Sequence, residues 1–339
     1  MPLLVFRDLE VHYRTYAGML RAVDGISLDL DRGEILGLVG ESGCGKSTVA
    51  KSIMRLLPSD SIIKGTISFN GDNLVEKNEH EMTRIRGKEI SLITQSAMNA
   101  LDPVQRVGNQ IVEAIRTHRK CSRGEARKEA CELLELVGLE KRRFKNYAHE
   151  LSGGQRQRVI IAMALVSSPK LVIADEPTTG LDVIMEFRIL EHLRKLQSDL
   201  KLSILLISHD ISITAQLAHK IAIMYAGKIM EYGPVSEVLK QKAYHPYTLG
   251  LLNAFPDIKN PRNELISIPG SPCDLVCEIK GCRFHERCPF STEECFIKEP
   301  EWLNIKEGHY VRCHYPDKME IFQKLSRERS TWIKDGDSD

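Results

Sequence analysis

The 339-residue sequence lacks an excess of either charge: 47 Lys and Arg are balanced by 46 Asp and Glu, which leaves a net charge of +1. A chain without a net field has no general attraction for nucleic acid or an anionic bilayer. The sequence also lacks any run near the ~18 uninterrupted apolar residues of a membrane span. Residues 1–7 lack the features of a signal peptide. These absences favour a soluble cytosolic protein, and the length favours two domains.

The sequence does contain one complete phosphate-binding loop. Residues 40–48 match the pattern G-x-x-x-x-G-K-[ST] and follow the apolar run 35–39. Glycines let successive backbone N–H groups surround the phosphates, and the helix that begins there adds its dipole. Lys46 is expected to contact the β- and γ-phosphates, and the Ser47 hydroxyl to hold Mg²⁺. The nucleotide-binding candidates in this loop are Gly40, Ser42, Gly43, Cys44, Gly45, Lys46, Ser47 and Thr48.

Polar side chains follow two apolar runs that are predicted to be buried strands. Asp175 and Glu176 end the run that begins at Leu171, and His209 follows the run 202–207. An aspartate in this place holds Mg²⁺ in phosphate-loop proteins, and a carboxylate one position on can polarise a water molecule for attack on the γ-phosphate. A histidine at the carboxyl end of a strand lies where α/β sheets bind ligands.

A second anion-binding helix start is predicted at residues 151–155, with the sequence Leu-Ser-Gly-Gly-Gln. Ser152 is an N-cap residue, and the glycines that follow leave backbone N–H groups accessible. Two such helix starts are hard to use in one site, so the pattern suggests a dimer in which each chain completes the site of the other. A simple N-cap and turn is the alternative interpretation.

Together these motifs resemble those of the ATP-binding cassette (ABC) ATPases over roughly residues 1–240. The resemblance implies an α/β fold with a phosphate-loop core sheet, an antiparallel β subdomain and a helical subdomain at about 97–165. It assigns catalysis to Glu176, His209 and Lys46, and Mg²⁺ to Ser47, Gln95 and Asp175. Tyr16, or as a second choice Tyr13, is expected to stack on adenine. Further nucleotide contacts are expected from Gln95, Ser152, Gly153, Gly154, Gln155 and Asp182.

The segment 90–111 is similar to the oligopeptide and dipeptide importers of that family, although Asp102 and Ser96-Ala97 depart from their usual residues. The similarity favours a D-type ATPase at the cytoplasmic face of the membrane. It implies a heterodimer with an F-type paralogue, two transmembrane permeases and an extracellular substrate-binding protein, with peptides as cargo. Oligosaccharides or nickel are the alternative cargo. A soluble cassette that remodels nucleic acid or ribosomes is the alternative of a different class, although no heptad repeat or second phosphate loop is present.

The sequence beyond residue 245 is rich in cysteine and poor in predicted strands. It holds six of the nine cysteines: Cys273, Cys277, Cys282, Cys288, Cys295 and Cys313. In a cytosolic protein such a cluster favours a metal site. The last four resemble the family's C-terminal motif, which implies that they hold a [4Fe–4S] cluster; zinc is the second choice and disulfides the third.

The sequence therefore predicts an ATPase domain at 1–245, a cysteine-rich metal-binding lobe at 246–316, and a helical and disordered tail at 317–339.

Overall fold

The computed structural model describes residues 2–94, 100–239, 243–254, 266–277 and 279–332. They form two compact units, which we describe separately. The first consists mainly of Leu30–Ile35 and Glu76–Ile207; the second consists of Leu4–Asp29, Leu36–Val75 and Ser208–Asp339. Within the described ranges, no helix is both long enough and apolar enough to span a membrane.

The first unit combines parallel strands with a group of helices. Its elements are α2 (Glu79–Ile85), β6 (Ile90–Ile93), α3 (Val107–His118), α4 (Arg123–Leu136), α5 (Gly153–Leu165), β7 (Leu171–Asp175), α6 (Val183–Leu200) and β8 (Ser203–Ser208). Short 3₁₀ helices span Lys141–Lys145 and Ala148–Glu150. Strand β7 lies between β6 and β8 and is parallel to both. All five of its residues are buried, as expected for a central parallel strand.

The second unit contains an antiparallel sheet with the strand order β2-β1-β4-β5. These strands are β1 (Pro2–Thr15), β2 (Gly18–Asp31), β4 (Ile62–Phe69) and β5 (Asp72–Asn73).

A mixed sheet of the same unit has the strand order β11-β12-β10-β9-β3. These strands are β3 (Ile35–Val39), β9 (Lys220–Tyr225), β10 (Lys228–Pro234), β11 (Leu303–Lys306) and β12 (His309–Val311). Strand β3 is parallel to β9, and the remaining pairs are antiparallel.

The helices of the second unit are mostly short. They are α1 (Lys46–Ile53), α7 (Ile211–Leu217), α8 (Val235–Val238), α9 (Pro246–Asn253), α10 (Glu293–Ile297), α11 (Met319–Leu325) and α12 (Arg329–Trp332). Helix α11 lies where Met319, Phe322 and Leu325 predicted a helix by their spacing, and the first two of these side chains are buried. The end of the chain from Lys334, predicted to be disordered, lies outside the described residues.

The segment from residue 243 onward shares a hydrophobic core with the central strands of the second unit. One buried cluster contains Val39 of β3, Tyr225 of β9, Tyr247 of α9, Phe284 and Trp332. Apolar burial of this kind is the main favourable term in folding.

A buried polar contact ties the same segment to β10. The Glu231 carboxylate accepts hydrogen bonds from the Tyr244 and His245 backbone N–H groups at 2.8 and 3.1 Å, and it lies 2.9 Å from His309 Nε2. The Glu231 and His309 side chains are both fully buried. A buried carboxylate needs such partners. Glu231 therefore links both residues 244–245 and His309 to β10.

Candidate nucleotide site

The phosphate loop runs from the end of β3 to the start of α1, as its sequence predicts. Gly43 and Gly45 adopt positive φ angles of 81° and 110°. A Cβ at Gly40 would lie 2.0 Å from the Met224 carbonyl oxygen, and one at Gly45 would lie 2.1 Å from that of Ala22. Only glycine fits such contacts with backbone atoms, so the loop is free to turn its N–H groups inward.

Lys46 begins helix α1 and lies inside the loop. Its side chain is 5% exposed. The ammonium group donates hydrogen bonds to the carbonyl oxygens of Gly40 at 2.7 Å and Glu41 at 2.9 Å. Buried ammonium groups need such partners, and these place a positive charge within the loop that is predicted to bind phosphate.

The two carboxylates at the end of β7, Asp175 and Glu176, belong to the first unit. Asp175 is the buried last residue of the strand. Glu176 has a left-handed backbone with φ of 47°, and its N–H donates to the Ile207 carbonyl oxygen at 2.9 Å. The Thr179 hydroxyl donates to the Glu176 carboxylate at 3.1 Å. The two carboxylates therefore lie at the carboxyl end of a parallel sheet, where α/β proteins bind ligands.

Helix α5 begins at the second predicted anion-binding site. The Ser152 hydroxyl accepts from the Gln155 N–H at 3.4 Å, while the Gln155 side-chain oxygen accepts from the Ser152 N–H at 3.2 Å. This reciprocal pair is a capping box. A Cβ at Gly154 would lie 2.4 Å from the end of the Met185 side chain, in the first turn of α6. Asp182 caps that helix by accepting from the Met185 N–H at 2.9 Å. Two predicted segments of the site, 152–155 and 182, are thus brought together.

The remaining predicted nucleotide contacts have different surroundings. Tyr16 lies in the turn between β1 and β2 and is fully exposed, whereas the Tyr13 hydroxyl donates to the Thr48 hydroxyl at 3.2 Å. His209 is exposed and directly follows β8. Gln95 lies outside the described residues.

Sequence reasoning missed two residues that hold the phosphate loop. The Arg287 guanidinium forms a two-point ion pair with the Glu41 carboxylate, at 2.6 and 3.1 Å. The Tyr247 hydroxyl accepts a hydrogen bond from the Glu41 N–H at 3.0 Å. Both lie more than 200 positions from Glu41, so no local pattern could have identified them.

The four predicted metal-ligating thiols line one cavity in the second unit: Cys282, Cys288, Cys295 and Cys313. Burial raises the pKa of Cys282 to about 12 and that of Cys313 to about 11. Cys273 and Cys277 do not line the cavity, and all nine cysteines carry free thiols. Among the described residues, no group of three or more His, Cys, Asp or Glu side chains has the geometry to hold a metal ion.

Comparison with known proteins identifies the class of this fold and site. Residues 23–179 match the ABC transporter family. A dimeric ATP-binding cassette solved in a post-hydrolysis state with ADP and Pi superposes with a TM-score of 0.61 at 27% identity, over 68% of this chain and 98% of that chain. The protein is an ABC ATPase.

The subfamily follows from relatives that span nearly the whole chain. Residues 230–295 match the C-terminal region of oligopeptide/dipeptide transporters. The chain is 44% identical to an oligopeptide transport ATP-binding protein of Bacillus subtilis, over 94% of this chain and 91% of the relative. It is 43% identical to a dipeptide transport ATP-binding protein of the same organism, over 95% and 97%. The chain belongs to the family of oligopeptide and dipeptide ABC transporter ATPases.

Proposed function

We propose that this protein is the ATP-hydrolysing subunit of an ABC importer that takes up oligopeptides or dipeptides. The observation that carries the proposal is a 44% identity to an oligopeptide transport ATP-binding protein across 94% of the chain. The phosphate loop, the capped N-terminus of helix α5 and the carboxylates at the end of β7 are the parts that such an ATPase needs. As a peripheral subunit at the cytoplasmic face of the membrane, it would drive two transmembrane permeases that receive cargo from an extracellular binding protein.

We propose a role for each site residue. Lys46 and the loop N–H groups bind the phosphates, and Tyr16 stacks on adenine. Ser47 and Asp175, with Gln95, would hold Mg²⁺, and the ion would neutralise negative charge on the phosphates. Glu176 orients and deprotonates the attacking water, and His209 contacts the γ-phosphate. The capping of α5 by Ser152 leaves other N–H groups of its first turn for anion binding.

A dimer would complete this site. The phosphate loop lies in the second unit and the α5 N-terminus in the first, and each is suited to a phosphate. We propose that two ATPase subunits, this chain and an F-type paralogue, enclose ATP between the phosphate loop of one and residues 152–155 of the other. A structural neighbour described as dimeric, with ADP and Pi, supports this arrangement. The two ATPase subunits would close on ATP and separate after hydrolysis, and this movement would switch the permeases between two conformations.

Reconstitution tests the cargo. The ATPase, its permeases and the binding protein are placed in proteoliposomes, and ATP hydrolysis is measured with dipeptides, longer peptides, oligosaccharides or nickel chelates. Stimulation by peptides alone is expected. If only oligosaccharides or nickel chelates stimulate ATP hydrolysis, the protein is still an importer ATPase, but its cargo is not peptide. Tight, salt-sensitive binding to RNA without any stimulated transport would instead favour the nucleic-acid remodeller.

We further propose that residues 246–316 form a cysteine-rich lobe that holds a [4Fe–4S] cluster through Cys282, Cys288, Cys295 and Cys313. The four thiols line one cavity whose other walls include Phe284 and Phe290, and this environment suits a thiolate-bound cluster. Zinc held by the same four thiolates is the alternative. A cluster would join the chain at 282–295 to residue 313 and so stabilise a small segment.

Iron and labile sulfide in anaerobically purified protein test the cluster. About four of each per chain are expected in the wild type, and Cys288→Ser is expected to lose most of both. Cys277→Ser is the matched control, because this exposed thiol does not line the cavity. Zinc without sulfide would reject the cluster, and equal iron loss in the control would reject the proposed ligands.

A further inference from the structure

Glu41, the second residue of the phosphate loop, places a carboxylate beside a site that binds anionic phosphates. Such a charge opposes nucleotide binding unless a cation neutralises it. The Arg287 guanidinium does so in a two-point geometry, with Nη1 at 2.6 Å from one carboxylate oxygen and Nη2 at 3.1 Å from the other. Paired N–H donors of this kind fix orientation as well as charge.

Arg287 is itself held in place. Its residue is 8% exposed, and its Nε donates to the Pro269 carbonyl oxygen at 2.8 Å. Nη2 donates to the Ile268 carbonyl oxygen at 3.3 Å, and the guanidinium lies 5.7 Å from the centre of the Tyr225 ring. With these partners the side chain loses little further freedom when it pairs with Glu41, so it can act as a rigid support.

The backbone of Glu41 has a second support from the same part of the chain. The hydroxyl of the fully buried Tyr247 accepts from the Glu41 N–H at 3.0 Å. The Glu41 carbonyl oxygen in turn accepts from the Lys46 ammonium at 2.9 Å. Donor, acceptor and side chain of Glu41 are therefore all engaged, and the Lys46 charge is fixed relative to this residue.

We propose that Arg287 and Tyr247 are positioning residues of the ATP site, which hold the phosphate loop in its nucleotide-binding conformation through Glu41. Neither residue needs to touch the nucleotide. A loop that spends only part of its time in the binding conformation has an affinity reduced by that fraction. This inference rests on nucleotide binding at residues 40–48, which the wild-type titration described next tests separately.

Titration of the full-length protein with ADP, together with steady-state ATPase kinetics, tests the proposal. For Arg287→Gln we expect the Kd for ADP and the KM for ATP to rise about tenfold, with kcat within about twofold of wild type, because binding is lost uniformly. Arg287→Lys keeps the positive charge but cannot form the two-point pair with Glu41, so it should recover part of the affinity for ADP. Lys306→Gln breaks an exposed ion pair with Glu237 in the same unit and should leave the Kd unchanged.

A double variant tests whether the effect passes through Glu41. In a Glu41→Gln background, Arg287→Gln should change the ADP Kd by less than about twofold, because its partner is already absent. A full tenfold rise in the ADP Kd in that background would show that Arg287 does not act through Glu41. An unchanged Kd in folded Arg287→Gln protein would overturn the proposal, whereas wild type that fails to bind ADP would reject the nucleotide site itself.

Tyr247→Phe supplies a second variant in case Arg287→Gln does not fold. It removes one hydroxyl and keeps the buried ring, so the fold should persist. The Kd for ADP is expected to rise about threefold, the scale of one neutral hydrogen bond. Unchanged ADP affinity in this variant would contradict the role of Tyr247 and remove the second support of the loop.

Discussion

Glu176, the proposed general base, has an uncommon backbone conformation. Its φ of 47° lies in the left-handed region, where a non-glycine residue costs on the order of 1 kcal/mol or more. The hydrogen bond from its N–H to the Ile207 carbonyl oxygen holds this conformation. The local strain is thus supported by the neighbouring strand and fixes where the side chain leaves the sheet.

The role of Glu176 as general base predicts a specific loss. Glu176→Gln should keep ATP affinity while kcat falls at least ~10²-fold, because the amide cannot accept the proton of the attacking water. Phosphate release and nucleotide titration measure the two quantities. Glu191→Gln, which alters an exposed carboxylate on α6, is the control and should behave as wild type. A variant at Glu176 that keeps normal turnover would exclude the role.

Tyr16 and Tyr13 can be separated by substitution. Tyr16→Ala should raise the KM for ATP about tenfold if its ring stacks on adenine, since such stacking contributes about 1–3 kcal/mol per base. Tyr13→Phe removes only the hydrogen bond to the Thr48 hydroxyl and should change KM by about threefold at most. The reverse order of effects would assign adenine to Tyr13.

Helix α5 shows how an element can serve both stability and binding. Its first turn is closed by the capping box of Ser152 and Gln155. Its remaining N–H groups are the ones proposed to bind an anion. Loss of the cap and loss of the anion site can be distinguished, because aspartate caps a helix as serine does but adds a negative charge that opposes anion binding.

Two variants at Ser152 make that distinction. Ser152→Ala should reduce the free energy of unfolding by about 1 kcal/mol through loss of the cap. Ser152→Asp restores a capping acceptor and should regain stability. In the proposed dimer it should nevertheless abolish ATPase activity, because its negative charge would repel the ATP bound by the second subunit. Urea denaturation and phosphate release are measured on both. Active Ser152→Asp protein would place the anion site elsewhere.

The elements that could be predicted from the sequence are those with local signals. The loop at 40–48, the cap at Ser152 and strand β7 each depend on residues within about ten positions, so their patterns were sufficient. The two short strands β11 and β12 were missed, because seven residues in total carry too little alternation to identify a strand. The supports of Glu41 were missed because they depend on tertiary packing.

At the scale of the whole molecule, a partly buried charge network joins distant parts of the second unit. The Asp24 carboxylate pairs with Arg283 and lies 3.4 Å from the Lys228 ammonium, which also pairs with Glu299 at 2.8 Å. Burial alone would raise the pKa of Asp24, but Lys228 and Arg283 outweigh it and hold that pKa below its usual value of 3.8. The stabilisation is therefore complete above about pH 4 and is lost as the pH falls further.

Removal of this carboxylate should destabilise the fold. Asp24→Asn leaves the 2%-exposed Arg283 side chain without its carboxylate partner, and we expect a loss of about 3 kcal/mol in the free energy of unfolding. Asp29→Asn is the matched control, because Asp29 is 41% exposed beside Lys220 and should contribute less than about 1 kcal/mol. Urea denaturation at pH 7 measures the free energy of unfolding of both variants. Equal losses would show that the Asp24 network stabilises the fold no more than an exposed ion pair does.

Strand β12 has a practical consequence for anyone who wishes to prepare the cassette alone. It covers β10 through the pairs Glu231–Val311 and Tyr232–Tyr310. A chain that stops at residue 245 would leave these backbone groups as an open sheet edge, which invites pairing with other molecules. It would also uncover apolar side chains such as Tyr225 that pack against Phe284. Aggregation during expression is the expected result, so preparations of the ATPase should retain the chain through residue 332.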